Sequence, residues 1–98
     1  MGKTESIVTE YKTICFFCGK PAQCEHHLIF GNGLRKLADK DGLKVPSCDR
    51  CHEKGAVIEK VHENPMAEKL SKMLGQAIYE KKIGTREEFR DRYGISYL

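Results

Sequence analysis

Apolar positions along the chain follow two different periods, and the change falls near residue 64. From there onward the spacing is helical. Asn64-Pro65 predicts a helix start, a capping side chain followed by a proline whose missing N–H costs nothing at the first helical position. Met66, Leu70, Met73, Leu74, Ala77 and Ile78 recur at i, i+4, i+7, i+8, i+11 and i+12, which predicts one apolar stripe packed as core. Gly84 ends that helix, and Thr85-Arg86-Glu87-Glu88 has the form of a capping box opening a short last helix that carries Phe89 and Tyr93.

Before residue 64 the runs are shorter. Residues 22–30 read as a strand passing through Cys24-Glu25-His26-His27, and Gly31-Asn32-Gly33 breaks it. A polar, basic segment up to Gly42 has room for one or two helical turns. Leu43-Lys44-Val45-Pro46 alternates as a second strand, with Pro46 at its end or at a sheet edge because proline cannot donate to a ladder. Ser47 reads as the N-cap of a following helix, with Asp49 in its first turn. Residues 1–13 read as a loose arm or an edge strand. The expected organisation is therefore an arm (1–13) and a single domain (14–98), itself a core over 14–62 with a helical part over 64–98.

Ninety-eight residues bury a modest core, and chains this short often need a staple. No apolar run approaches the roughly 18–20 residues of a membrane span. Met1-Gly2-Lys3-Thr4-Glu5-Ser6 lacks the apolar stretch of a signal peptide, so the expected location is cytoplasmic, without a membrane partner. Gly2 and Ser6 match the bare myristoylation pattern, which nothing basic or palmitoylatable supports. A net charge of +3 suits a polyanionic partner without requiring one.

Five cysteines change the picture. With no export signal, metal ligation is favoured over disulfides. Cys15-x-x-Cys18 and Cys48-x-x-Cys51 each place two thiolates on one knuckle or helix turn, and two such pairs complete a tetrahedral, closed and therefore structural Zn²⁺ site. Gly19, after the second cysteine, allows the tight turn of the first knuckle. A redox role for either pair expects a thioredoxin-like βαβ context, which is missing. Cys24 is left over and reads as a small buried hydrophobe.

All four histidines fall between the knuckles or just beyond them, at His26, His27, His52 and His62. Alone, a His-His dipeptide is an ordinary surface or core feature. Here it lies between two zinc knuckles, a Gly-rich loop follows it, and a further histidine opens the next helix. Imidazoles from two elements can hold a divalent cation while another serves as base.

The order Cys-x-x-Cys, Glu25-His26-His27-Leu28-Ile29-Phe30-Gly31, Gly42-Leu43-Lys44-Val45, Cys48-Asp49-Arg50-Cys51-His52, Val61-His62 and Glu87-Glu88-Phe89…Tyr93-Gly94-Ile95-Ser96-Tyr97-Leu98 resembles the HNH (ββα-metal) endonucleases. More narrowly, it is similar to small phage-type proteins related to recombination-enhancement nucleases. The resemblance spans residues 15–98 and implies a small α+β fold, a treble-clef-like, zinc-stapled ββα-metal core with additional C-terminal helices. It implies a metal-dependent endonuclease hydrolysing DNA phosphodiesters, with His27 as general base. His26 and His52 become ligands of a catalytic Mg²⁺, Mn²⁺ or Zn²⁺ ion. His62 is a third ligand by analogy, or else a helix-end surface residue, because its ten-residue distance from His52 departs from the family's one-turn spacing. The central Asn that often orients the base is missing from residues 43–47; Asn32 could replace it or simply form the turn. Arg35 and Lys36 could contact phosphates or form a solvated face. DNA is the implied partner, with a recombination protein as a further one. The competing class is a zinc-ribbon or treble-clef module that binds DNA or protein without cutting.

Overall fold

The computed structural model describes residues 5–31, 33–54, 62 and 64–98, with Glu53 and Lys54 for their backbone alone. The elements run β1 (Cys24–His27), α1 (Leu34–Asp41), β2 (Lys44–Ser47), a short π-helical turn (Arg50–Lys54), α2 (Pro65–Lys82) and α3 (Arg86–Tyr93). Among the described residues the result is a small α+β fold with one two-stranded antiparallel sheet.

Its register places Cys24 opposite Ser47, Glu25 opposite Pro46, His26 opposite Val45 and His27 opposite Lys44. The Leu28 N–H donates to the Leu43 carbonyl (2.9 Å) and carries the pairing one residue further. The strand stops short of the expected residue 30 because Gly31 and Gly33 take φ of 117° and 81°, turning the chain directly into α1. Pro46 lies inside β2; its carbonyl accepts from the Phe16 N–H (2.8 Å), which draws the first cysteine knuckle onto the strand.

The segment before residue 14 is tied down from Glu5 onward and forms no strand. Ser6 Oγ donates to the Lys44 carbonyl (2.5 Å), and the Ile7 N–H donates to the Gly42 carbonyl (3.0 Å). Gly42 caps α1 at φ 72°, and a Cβ there would stand 2.5 Å from the Glu5 carbonyl oxygen. Asp41, at the end of α1, accepts two hydrogen bonds from Arg92 (2.7 and 2.9 Å) and one from the Tyr93 hydroxyl (2.7 Å). That clamp joins α1 to α3 over a core of Ile29, Ala38, Leu43, Tyr79, Phe89 and Tyr93.

Both C-terminal helix starts form as the sequence predicts. Asn64 Oδ1 accepts from the Ala67 N–H (3.2 Å). Thr85 and Glu88 exchange the reciprocal bonds of a capping box (3.1 and 2.9 Å). Among the described residues, no helix is long and apolar enough to cross a membrane.

Two local expectations are corrected. Ser47 is the last residue of β2, and its hydroxyl donates to the Cys48 carbonyl instead of accepting an amide as an N-cap. The predicted stripe of α2 is buried only in part: Ile78 packs against the core and Met73 and Leu74 are half-buried, but Met66 and Leu70 are exposed (67% and 60%), as is Ala77, and the fully buried positions are Ser71, Gly75, Gln76 and Tyr79. The cause is steric and polar together. Gly75 lets the helix backbone approach Leu28 and Ile29 so closely that a Cβ would meet Ile29 Cγ1 at 2.8 Å. Ser71 donates to the Leu28 carbonyl (2.8 Å), and Gln76 Oε1 accepts from the Tyr97 N–H (2.6 Å), so both polar side chains are satisfied where they are buried.

This packing separates two substitutions that helix propensity alone would misjudge. Gly75→Ala improves propensity yet should destabilise the fold by about 1–3 kcal/mol through overpacking. Leu70→Lys should stay within about 0.5 kcal/mol of the parent. Urea unfolding of both variants reads the difference, and a stabilised Gly75→Ala protein would contradict the close approach.

Candidate metal centres and the cleft beside them

The four cysteines of the two pairs converge. Their Sγ atoms all lie within 4.8 Å of one another; Cys15, Cys48 and Cys51 are buried and Cys18 is exposed. The first knuckle closes through the Cys15 N–H to Lys20 carbonyl bond (2.7 Å) and the Gly19 N–H to Cys15 carbonyl bond (3.0 Å), with Gly19 at φ 80°. Cys18 and Cys48, from different knuckles, stand 3.6 Å apart, close to the ~3.7 Å edge of a thiolate tetrahedron built on Zn–S bonds of about 2.3 Å. None of the cysteines is in a disulfide.

Electrostatics support a cation at this point. Burial raises the Cys15 thiol, but the N–H groups of Cys48, Phe17 and Cys18 outweigh it and hold the group at about 6. Burial and then its three thiol neighbours push Cys51 far up. Sulfurs this crowded cannot all ionise without a positive charge among them, which a Zn²⁺ ion supplies. The donor set therefore fits a structural zinc.

A second cluster joins His26, His52 and His62, whose ligating nitrogens also lie within 4.8 Å of one another. His26 is fully buried on β1. Ser71 spends its hydroxyl proton on the Leu28 carbonyl, so it can only accept from His26 Nε2–H (2.8 Å). That leaves His26 Nδ1 deprotonated, buried and, among the described residues, without a hydrogen-bond partner. An orphaned buried nitrogen is costly unless something fills its lone pair.

The other two rings show the same division of labour. The Cys24 thiol donates to the Ser47 carbonyl (3.2 Å), leaving its sulfur to accept from His52 Nδ1 (3.5 Å). His62 Nδ1 faces the Glu68 carboxylate (3.5 Å). Their Nε2 atoms then face each other at 3.1 Å. Nitrogens bound to one ion at about 2.0–2.1 Å would be separated by roughly 3.0–3.4 Å, so the spacing suits shared ligation. Outer nitrogens held by second partners and inner nitrogens aimed at a common point are the arrangement of metal-bound imidazoles. The histidine donors fit a divalent ion.

Desolvation, and then repulsion from His62, His52 and His27, lowers the His26 pKa to about 3. Phe17, Phe30 and the neighbouring imidazoles surround this ring edge-on, at centroid distances of 5.0–5.8 Å.

His27, next on the strand, points to the opposite face. Its Nε2 stands 3.0 Å from Asp39 Oδ1, which also accepts from Lys44 Nζ at 2.8 Å. The Glu25 and His27 face of β1 borders a cleft of about 280 Å³, which Phe30, Arg35, His52 and His62 also line; His26 is buried and forms no part of its wall. A neighbouring hollow of about 420 Å³ continues over His27, Arg35, Lys36, Asp39 and Lys40.

Of the residues singled out from the sequence, the structure brings His26, His52 and His62 into one cluster and His27 with Arg35 to its edge. Lys36 lies in the adjoining hollow, and Asn32 lies outside the described residues. Sequence reasoning missed Asp39, Lys44, Ser71 and Glu68, and it treated Cys24 as a hydrophobe. No local pattern marks them, because each acquires its partner only across the fold. Comparison with protein-family models, curated proteins and solved structures finds no match.

Two outcomes follow from the clusters. Purified protein should carry one tightly held zinc per chain by elemental analysis, and Cys48→Ser should lose both the zinc and cooperative unfolding, a cost on the order of several kcal/mol. His26 should stay neutral as the pH falls, its ring signals unmoved in NMR from about pH 8 to pH 5. Because the unfolded chain binds a proton at this residue near 6.5 and the folded chain only near 3, stability falls with acid across that window.

Proposed function

We propose that the chain is a metal-dependent endonuclease of the HNH type, hydrolysing phosphodiester bonds in DNA with His27 as general base. The observation that carries this reading is a cleft in which His52 and His62, two members of the His26–His52–His62 cluster, meet His27 and Arg35. Three neutral imidazoles with their inner nitrogens turned together make a cation site; a fourth imidazole at the rim makes a proton acceptor. A structural zinc module would require the cysteines alone, and the orphaned His26 Nδ1 would then have no purpose.

His26, His52 and His62 would hold the divalent ion, whose chemistry is to offset negative charge on the phosphate and on the leaving 3′ oxygen. His27 takes the proton of the attacking water. Arg35, on the wall of the same cleft, offers a fork of donors to a phosphate oxygen, and Lys36 and Lys40 extend the positive lining along α1. Phe30 closes one side against His62 and His26 and keeps that side apolar. The family resemblance implies products ending in 5′-phosphate and 3′-hydroxyl, and a ββα-metal core.

Plasmid nicking in Mg²⁺ or Mn²⁺ tests the reading. His27→Ala should reduce the rate by roughly 10²–10⁴-fold while zinc content and unfolding stay as in the parent. Parent protein that cuts no form of DNA in any divalent ion would leave the non-catalytic binding module as the better account.

A further inference from the structure

We propose that Asp39 and Lys44 are positioning residues that fix His27 as its Nε2–H tautomer and leave Nδ1 as the proton-accepting nitrogen. The use made of that nitrogen rests on the nuclease reading; the tautomer itself does not. One carboxylate oxygen is shared between two donors: Asp39 Oδ1 receives Lys44 Nζ at 2.8 Å and His27 Nε2 at 3.0 Å. An ionised carboxylate can only accept, so the nitrogen facing it must carry the proton. In a neutral imidazole the lone pair then belongs to Nδ1.

The carboxylate is ionised because of Lys44. This lysine is among the most deeply buried side chains, 1% exposed, and a buried ammonium is costly unless it is paired. Its acidic partners are Asp39 at 2.8 Å and Glu25 at 3.8 Å. The Lys44 bond, followed by the His27 bond, holds the Asp39 carboxyl down at about 2. A simple buried ion pair would need Lys44 and Asp39 alone. Placing the imidazole on the same oxygen adds direction, which a stability role does not require.

Three elements deliver the arrangement. The sheet register sets His27 directly opposite Lys44, so both side chains leave the same face. Asp39 arrives from α1, whose end is held by the Gly42 cap and by the Asp41–Arg92–Tyr93 clamp. The group orienting the imidazole is therefore a carboxylate from the connecting helix. No residue of the second strand beyond Lys44 is needed, which explains how the chain manages without an Asn between residues 43 and 47.

The test reads the tautomer directly. In zinc-loaded, ¹⁵N-labelled protein, long-range ¹H–¹⁵N correlation should show His27 with a protonated Nε2 and a pyridine-like Nδ1. Asp39→Ala should convert this to a mixture of tautomers, and in nicking assays should lower kcat by roughly tenfold to a hundredfold with KM changed by no more than about twofold. Asp39→Glu should recover part of both. A parent His27 protonated at Nδ1, or an unchanged tautomer in Asp39→Ala, overturns the proposal. Should Asp39→Ala fail to fold, the parent spectrum together with Asp39→Asn decides the matter. A correct tautomer in a protein that cuts nothing would sink the nuclease reading and leave the positioning intact.

Discussion

Four sulfurs gathered within 4.8 Å are the constraint on which the rest of this structure depends. Left as thiols they make a poor core, and as thiolates they repel one another. A zinc ion is the natural resolution, and it joins the two ends of the segment that contains β1, α1 and β2. The buried residues reflect this, dividing into an aromatic and aliphatic core under α2 and α3 and a separate cluster made of Cys15, Cys48 and Cys51. The sheet bridges the two. It has only four residues per strand, too little to be stable by itself.

That short sheet also sorts the chemistry. Strand alternation sends His26 inward, to Ser71 and the other imidazoles, and His27 outward, to Asp39. A one-residue slip would exchange the two, taking the candidate ligand away from the other imidazoles and the candidate base away from Asp39. Register therefore decides which histidine meets Ser71 and which meets Asp39. It is fixed by cysteine knuckles on one side, through the Phe16 to Pro46 bond, and by the close approach of Gly75 on the other.

Each imidazole in or behind the cluster, His26, His27, His52 and His62, has an outer partner. Ser71, Cys24, Glu68 and Asp39 come from α2, from β1 itself, from α2 again and from α1. Such partners make a ring rigid and choose its tautomer, and both are needed before a histidine can be a dependable ligand or base. They also account for one feature that otherwise reads as poor packing: α2 turns a serine to the interior, where it meets His26.

Much of this is legible in the order of residues alone. Cysteine spacing names the four thiol donors, because two residues between ligands is a local geometric requirement. The caps at Asn64 and Thr85 and the core roles of Phe89 and Tyr93 are likewise readable, since capping and helical period act over a few residues. Local pattern fails where long-range contact decides the outcome. The buried face of α2 follows from Gly75 meeting Ile29, and Ser47 loses its capping role to the strand. His62 reaches the cluster from ten residues beyond His52, a separation that a one-turn spacing of ligands does not anticipate. Asp39 and Lys44 are silent in the sequence because an acid on a helix and a lysine on a strand are ordinary until the fold sets them on one imidazole. The residue types with chemistry were determined by the sequence; which nitrogen faces which partner was decided only by tertiary structure, since that depends on groups brought together from separate elements.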